Sequence, residues 1–77
     1  MEQAKAFGIV LRRFRRQANL TQEQLGFEAD LQRVYVSALE LGQKMPSLAT
    51  IFKLAKALRC SASDLVAEVE AELRNPD

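Results

Sequence analysis

Histidine is absent from the 77 residues, and there is one cysteine, Cys60. A lone thiol cannot form an internal disulfide, and without histidine or a second thiol there is no pattern for a structural zinc site. The same gaps, together with the lack of a glycine-rich phosphate loop, leave no nucleophile and base to pair, so no enzyme, cofactor or small-molecule ligand is expected. Cys60 reads instead as a small buried apolar group in a turn. Glu68, Glu70 and Glu72 read as solvated helix charges rather than paired catalytic acids. Long apolar runs are missing too. The longest within the first 20 residues is short and closely followed by arginines, which excludes a signal peptide or membrane span and makes a cytoplasmic location the expectation, with no membrane partner. No internal repeat, low-complexity tract or β-like alternation competes with a helical reading.

What is present suits a small folded protein. Apolar residues make up 48% and charged residues 27% of the chain, too apolar and too evenly spread for a disordered tail. The length predicts one domain over residues 1–77. At this size only about 60% of the unfolded chain's surface can be buried, so stability should be modest. The net charge of +1 conceals a split: residues 1–59 hold ten basic and five acidic side chains, whereas residues 60–77 hold Arg74 against five acidic ones. Such a split suggests that one end faces phosphate and the other does not, although two ordinary solvated surfaces would also produce it.

Apolar periodicity predicts five helices. Ala4, Phe7, Leu11, Phe14 and Ala18 recur at helical spacing with Arg12, Arg13 and Arg16 on other sides, giving a helix from Gln3 to about Ala18 that Asn19 can end in the left-handed conformation. Thr21 and Gln24 form a capping box opening a short helix to about Ala29. Asp30 then suits a tight turn needing positive φ. In the third helix, about Gln32 to Leu41, Val36, Leu39 and Glu40 face inward and Arg33, Val34, Ser37 and Ala38 outward, with Gly42 closing it. Ser47 can cap a fourth helix whose stripe is Leu48, Ile51, Leu54, Ala55 and Leu58, with Phe52 also expected in the core. Ser61 and Asp64 start a fifth, with an apolar edge of Leu65, Val66, Val69 and Leu73, ended by Asn75 and Pro76. Two short helices joined by a tight turn, from about Thr21 to Leu41, have the dimensions of a DNA-reading helix-turn-helix.

The surrounding residues sharpen that. Leu20-Thr21-Gln22-Glu23-Gln24-Leu25, the run from Asp30 to Gly42, Pro46-Ser47-Leu48 and Leu54-Ala55-Lys56-Ala57-Leu58 together resemble the lambda-repressor and Cro-like family, also called the XRE family, over about residues 7–66 without gaps. The resemblance implies an all-α, five-helix DNA-binding bundle with its third helix in the major groove. It implies base contacts from Gln32, Arg33, Val34 and Ala38, a phosphate contact from Gln22, a backbone-contacting loop with Gln43 and Lys44, and a partly buried salt bridge between Arg15 and Glu40 locking the first helix to the third. Departures fall at the turn and around it: Asp30 stands for the usual glycine, Gln32 for a better capping residue, Leu41 for a polar residue, Gly26 for alanine, and Phe27 for a residue usually polar.

Side-chain chemistry agrees for Arg33, whose two-donor fork fits the O6 and N7 acceptors of guanine, the alternative being a phosphate clamp. Val34 and Ala38 can offer only apolar contact, as to a thymine methyl. The hydroxyls of Ser37 and Tyr35 can meet base or phosphate, with partial packing the stronger role for Tyr35. Arg12, Arg13, Arg16 and Lys44 are candidate phosphate partners, Arg13 and Arg16 more readily read as a solvated face. One recognition helix spans few base pairs, so a homodimer on a palindromic double-stranded operator is expected, paired through Val66, Val69 and Leu73 on the acidic last helix. The alternative is a protein-interaction module, such as an antitoxin that neutralises a partner, which a cluster of exposed Phe27 and Leu41 would favour.

Overall fold

The computed structural model describes residues 1–75; Pro76, expected to help end the last helix, and Asp77 lie outside the described residues. Five helices follow one another: α1 Gln3–Gln17, α2 Gln22–Ala29, α3 Arg33–Glu40, α4 Leu48–Ala57 and α5 Ala62–Arg74. The all-helical class and the helix count are those expected.

Most helix ends are set by local chemistry legible in the sequence. Thr21 and Gln24 form a reciprocal box at the start of α2, with the Gln24 N–H donating to Thr21 Oγ1 at 3.0 Å and the Thr21 N–H to Gln24 Oε1 at 2.9 Å. Ser61 and Asp64 do the same for α5, and Ser47 accepts from the Thr50 N–H at the start of α4. Gln32 makes no side-chain cap, so α3 begins without that stabilisation, typically about 1 kcal/mol. Asn19 and Asp30 take left-handed conformations at φ 59 and 58, as their short polar side chains permit. Arg59 does so too, at φ 58, with the Cys60 N–H returning to Ala55 O to close α4. No residue-type preference pointed to an arginine there.

Phe7, Val10 and Leu11 of α1, Leu25 and Ala29 of α2, Val36 and Leu39 of α3, Leu54, Ala55 and Leu58 of α4, and Leu65 of α5 form one buried cluster. Each large side chain removed from water contributes about 1.5–3 kcal/mol. Helix α1 packs on α3 and α5, α2 on α3 and α4, and α4 on α5. Four expectations about the core are corrected. Ala18, the C-cap of α1, is exposed because it lies past the last turn that the other helices cover. Leu48 and Phe52 are exposed because α4 is rotated so that Thr50, hydrogen-bonded to Ser47, faces inward with Leu54 and Ala55. Cys60 is half-buried rather than buried, packed against the rim of the core. Burial raises its thiol pKa above the ordinary value, and the nearby Asp64 carboxylate adds to that.

Gly8 permits a close helix approach. A Cβ there would lie 2.5 Å from the carbonyl oxygens of both Leu39 and Glu40, so α1 sits directly on the last turn of α3.

Candidate nucleic-acid interface

A helix that reads a surface must be held firmly from behind. Arg15 and Glu40 do this as expected: Arg15 Nε donates to Glu40 Oε2 at 2.6 Å and Nη2 to Oε1 at 3.0 Å, with the two side chains 11% and 3% exposed. The third guanidinium nitrogen, Nη1, donates to Leu20 O at 2.9 Å, and Gln22 Nε2 donates to Glu40 Oε1 at 3.1 Å. One arginine thus ties the end of α1, the loop before α2 and the end of α3 together, with Gln22 adding the start of α2. Hydrogen bonding to Glu40 raises the Arg15 pKa, burial opposes this, and attraction to the Glu40 charge reinforces it. A fork matched to a carboxylate is the geometry in which a desolvated pair is most favourable.

Gln22, expected at a phosphate, therefore turns its amide inward to Glu40. At the start of α2 the backbone N–H groups of Gln22 and Glu23 have no partner among the described residues, because only Gln24 is reached by the Thr21 cap.

The outward side of α3 is uneven. Gln32, Arg33 and Val34 are exposed, Val34 at 71%, whereas Ser37 and Ala38 are half-buried. The protruding part is the N-terminal turn, the part of a recognition helix that reaches base edges. Tyr35 packs partly against the core. Beyond the helix, Gly42 at φ 75 turns the chain so that Gln43 and Lys44 are exposed at its end. Arg12 and Arg16 are exposed on α1 and line a groove that reaches Glu40. Among the described residues, Arg12, Arg16, Arg33 and Lys44 enter no ion pair.

Arg13 differs from its basic neighbours. Its Nη2 lies 2.9 Å from Glu72 Oε1 and its Nη1 3.7 Å from Glu68 Oε1, so it clasps α1 to α5. Glu72 is thereby a partly buried pairing group, which corrects the reading of it as a solvated charge. The regular spacing of Glu68 and Glu72 was the available sign, but periodicity does not say which helix lies opposite.

A model of the helix-turn-helix family matches residues 11–65. The chain belongs to this family. Helix-turn-helix proteins of this XRE type are DNA-binding transcription regulators, and so is this one. The chain is 43% identical over 61 residues to the control protein C.BamHI of Bacillus amyloliquefaciens, covering 78% of this chain and 75% of that one. Its fold matches the restriction-modification controller protein C.AhdI from Aeromonas hydrophila at a TM-score of 0.79 and 42% identity, over 80% of this chain and 94% of that one. It matches the clp gene regulator ClgR from Corynebacterium glutamicum at 0.91 and 27%, over 96% and 79%.

Proposed function

We propose that this helix-turn-helix protein is a sequence-specific controller that binds a palindromic double-stranded operator as a homodimer, with the first turn of α3 in the major groove. The observation that carries the reading is the exposed, internally unpartnered trio Gln32, Arg33 and Val34, standing on a helix locked by Arg15 and Glu40. Arg33 reads guanine and Val34 a thymine methyl, with Gln32 beside them; Ser37 and Ala38 limit how closely the groove wall approaches. Arg12, Gln43 and Lys44 hold phosphates, joined by the free N–H groups opening α2 rather than by the Gln22 side chain, and Tyr35 contributes its hydroxyl at the edge. The relatives above 40% identity bear the names control protein and restriction-modification controller, which supports a controller role of that kind. Residues 1–77 act as one cytoplasmic domain without catalytic activity; among the described residues no helix is long and apolar enough to cross a membrane.

Pairing involves the α5 edge of Val66, Val69 and Leu73, of which Val66 is exposed and the other two are half-buried. No observation favours an antitoxin role. Phe27 is 86% exposed and Leu41 is also exposed, but they flank opposite ends of α3, which rises about 12 Å over its length, rather than sharing one patch.

Selection of bound duplexes from a random library tests the function directly, with an inverted repeat expected. On the selected site, Arg33→Ala costs about 1–3 kcal/mol and relaxes preference at one symmetric pair of positions, while Lys44→Ala weakens all sites alike and flattens the salt dependence. Uniform loss across sequences for Arg33→Ala makes it a phosphate clamp and removes it from the reading face.

A further inference from the structure

Helix α1 packs on both the reading helix α3 and the pairing helix α5, and the two contacts differ in kind. Toward α3 it is held rigidly, by the close backbone approach at Gly8 and by the Arg15 fork on Glu40. Toward α5 the polar link is Arg13, two residues before Arg15 and so on another side of the helix. Its Nη2 donates to Glu72 Oε1 at 2.9 Å, and its Nη1 lies 3.7 Å from Glu68 Oε1. The Glu72 side chain is 15% exposed, low for a carboxylate near the end of a helix. Beyond Leu65 no described residue of α5 is fully buried; Val69, Glu72 and Leu73 are half-buried. At about 3.6 residues per turn, Glu68 and Glu72 lie on one flank of the Leu65 face and Val66, Val69 and Leu73 on the other. The outer half of α5 is therefore steadied on one flank by partial apolar packing and on the other by the Arg13 clasp.

We infer that Arg13, acting through Glu72 and Glu68, is a positioning residue for operator recognition: it fixes the angle between the reading unit and the pairing edge, and so selects the spacing between half-sites. The inference rests on the dimer reading above, in which Val66, Val69 and Leu73 meet a second copy. Leu73 lies about 12 Å along α5 from Leu65, so a swing of about 10° about Leu65 displaces it by about 2 Å. In a two-fold pair the change appears twice, about 4 Å in all, which exceeds the rise of about 3.4 Å for one base pair. One base pair also turns the second half-site by about 35° around the duplex, so the set of α5 decides which spacer lets both reading helices engage at once. Arg12 and Arg16 have no such link to α5; among the described residues they enter no ion pair. With its charge matched by two carboxylates, Arg13 serves spacing rather than phosphate binding.

The test is the affinity of the full chain for duplexes that carry the selected inverted repeat with its central spacer unchanged, one base pair shorter or one longer. The wild-type dimer is expected to favour one spacer over its neighbours by about 10-fold or more. A pair this exposed is worth a factor of about 2–5 and occurs twice per dimer, so Arg13→Gln and Glu72→Gln are each expected to shrink that preference about 4-fold or more. Combining them adds little, because both break the same contact. Arg13→Lys, which keeps the charge, is expected to retain part of the preference. Base preference within each half-site, and helicity by circular dichroism, stay at the wild-type level in all variants, which separates a changed angle from a lost fold. A spacer profile unchanged in both glutamine variants, with two copies still bound per operator, overturns the inference and leaves the dimer reading intact. So does an Arg13→Gln protein that binds every spacer more weakly with a salt slope shallower by about 0.9, the mark of a phosphate contact. A wild-type chain that binds its operator one copy per site overturns both.

Discussion

Replacing Gly8 with alanine sets a local rule against a tertiary contact. In the interior of a helix, glycine to alanine stabilises by up to about 1 kcal/mol, because alanine loses less backbone entropy and shields the backbone better. In the folded chain, however, the new Cβ meets the Leu39 and Glu40 carbonyl oxygens at 2.5 Å and the Glu40 carbonyl carbon at 2.9 Å, where ordinary contact begins at 3.4 Å. All three atoms are backbone, so no side chain can rotate aside, and relief requires α1 and the end of α3 to separate by several tenths of an ångström. Glu40 is held at that point by Arg15 and Gln22, which resists the separation. Overpacking of this kind costs about 1–3 kcal/mol, so steric strain outweighs propensity and the net loss is about 1–2 kcal/mol. For a domain of this size that lowers Tm by roughly 4–16 °C. Thermal melts followed by circular dichroism measure it, at one fixed protein concentration because dimerisation links stability to concentration. The displacement also tilts α3, so operator affinity falls with Tm. A Gly8→Ala protein that melts at or above the wild-type temperature would refute the reasoning.

Glu40→Ala leaves the Arg15 guanidinium without its carboxylate and is expected to cost about 2–3 kcal/mol, somewhat less than a fully buried pair. In urea melts the Arg15→Met, Glu40→Leu double variant recovers much of this, and a coupling energy below about 0.5 kcal/mol would show that the latch is not a unit. Cys60, with its pKa raised, keeps its proton to higher pH than an unperturbed thiol and reacts more slowly with a disulfide reagent at mildly alkaline pH; Asp64→Asn, which retains the cap, speeds the reaction. Because the folded pKa lies above the unfolded one, this contribution to stability is complete below the unfolded value and is lost as pH rises through the folded one. Equal rates for wild type and Asp64→Asn would show that the carboxylate plays no part.

The local elements were legible because their chemistry is local. Thr21 with Gln24, Ser61 with Asp64, and the polar turn residues Asn19 and Asp30 act within a few positions of themselves, so the end of α1 to within one residue, the starts of α2 and α5 and the turn before α3 followed from residue types alone. The Arg15–Glu40 pair was legible in another way, through resemblance to the family. The sequence by itself thus determined five helices, a helix-turn-helix and a basic face around it.

Tertiary structure decided what periodicity leaves undefined, namely which neighbour each face meets. Leu48 and Phe52 satisfy a helical stripe as well as Leu54 does, and only the rotation of α4 about Thr50 leaves them outside. Arg13 looks like Arg12 and Arg16 in the chain, but α5 lies opposite it and supplies Glu72. Gln22 carries a free amide in sequence and finds Glu40 only once α2 and α3 have packed. Gly8 shows no local purpose within α1. Its missing side chain has meaning only against the backbone of α3, because close packing is a relation between segments that sequence spacing does not encode.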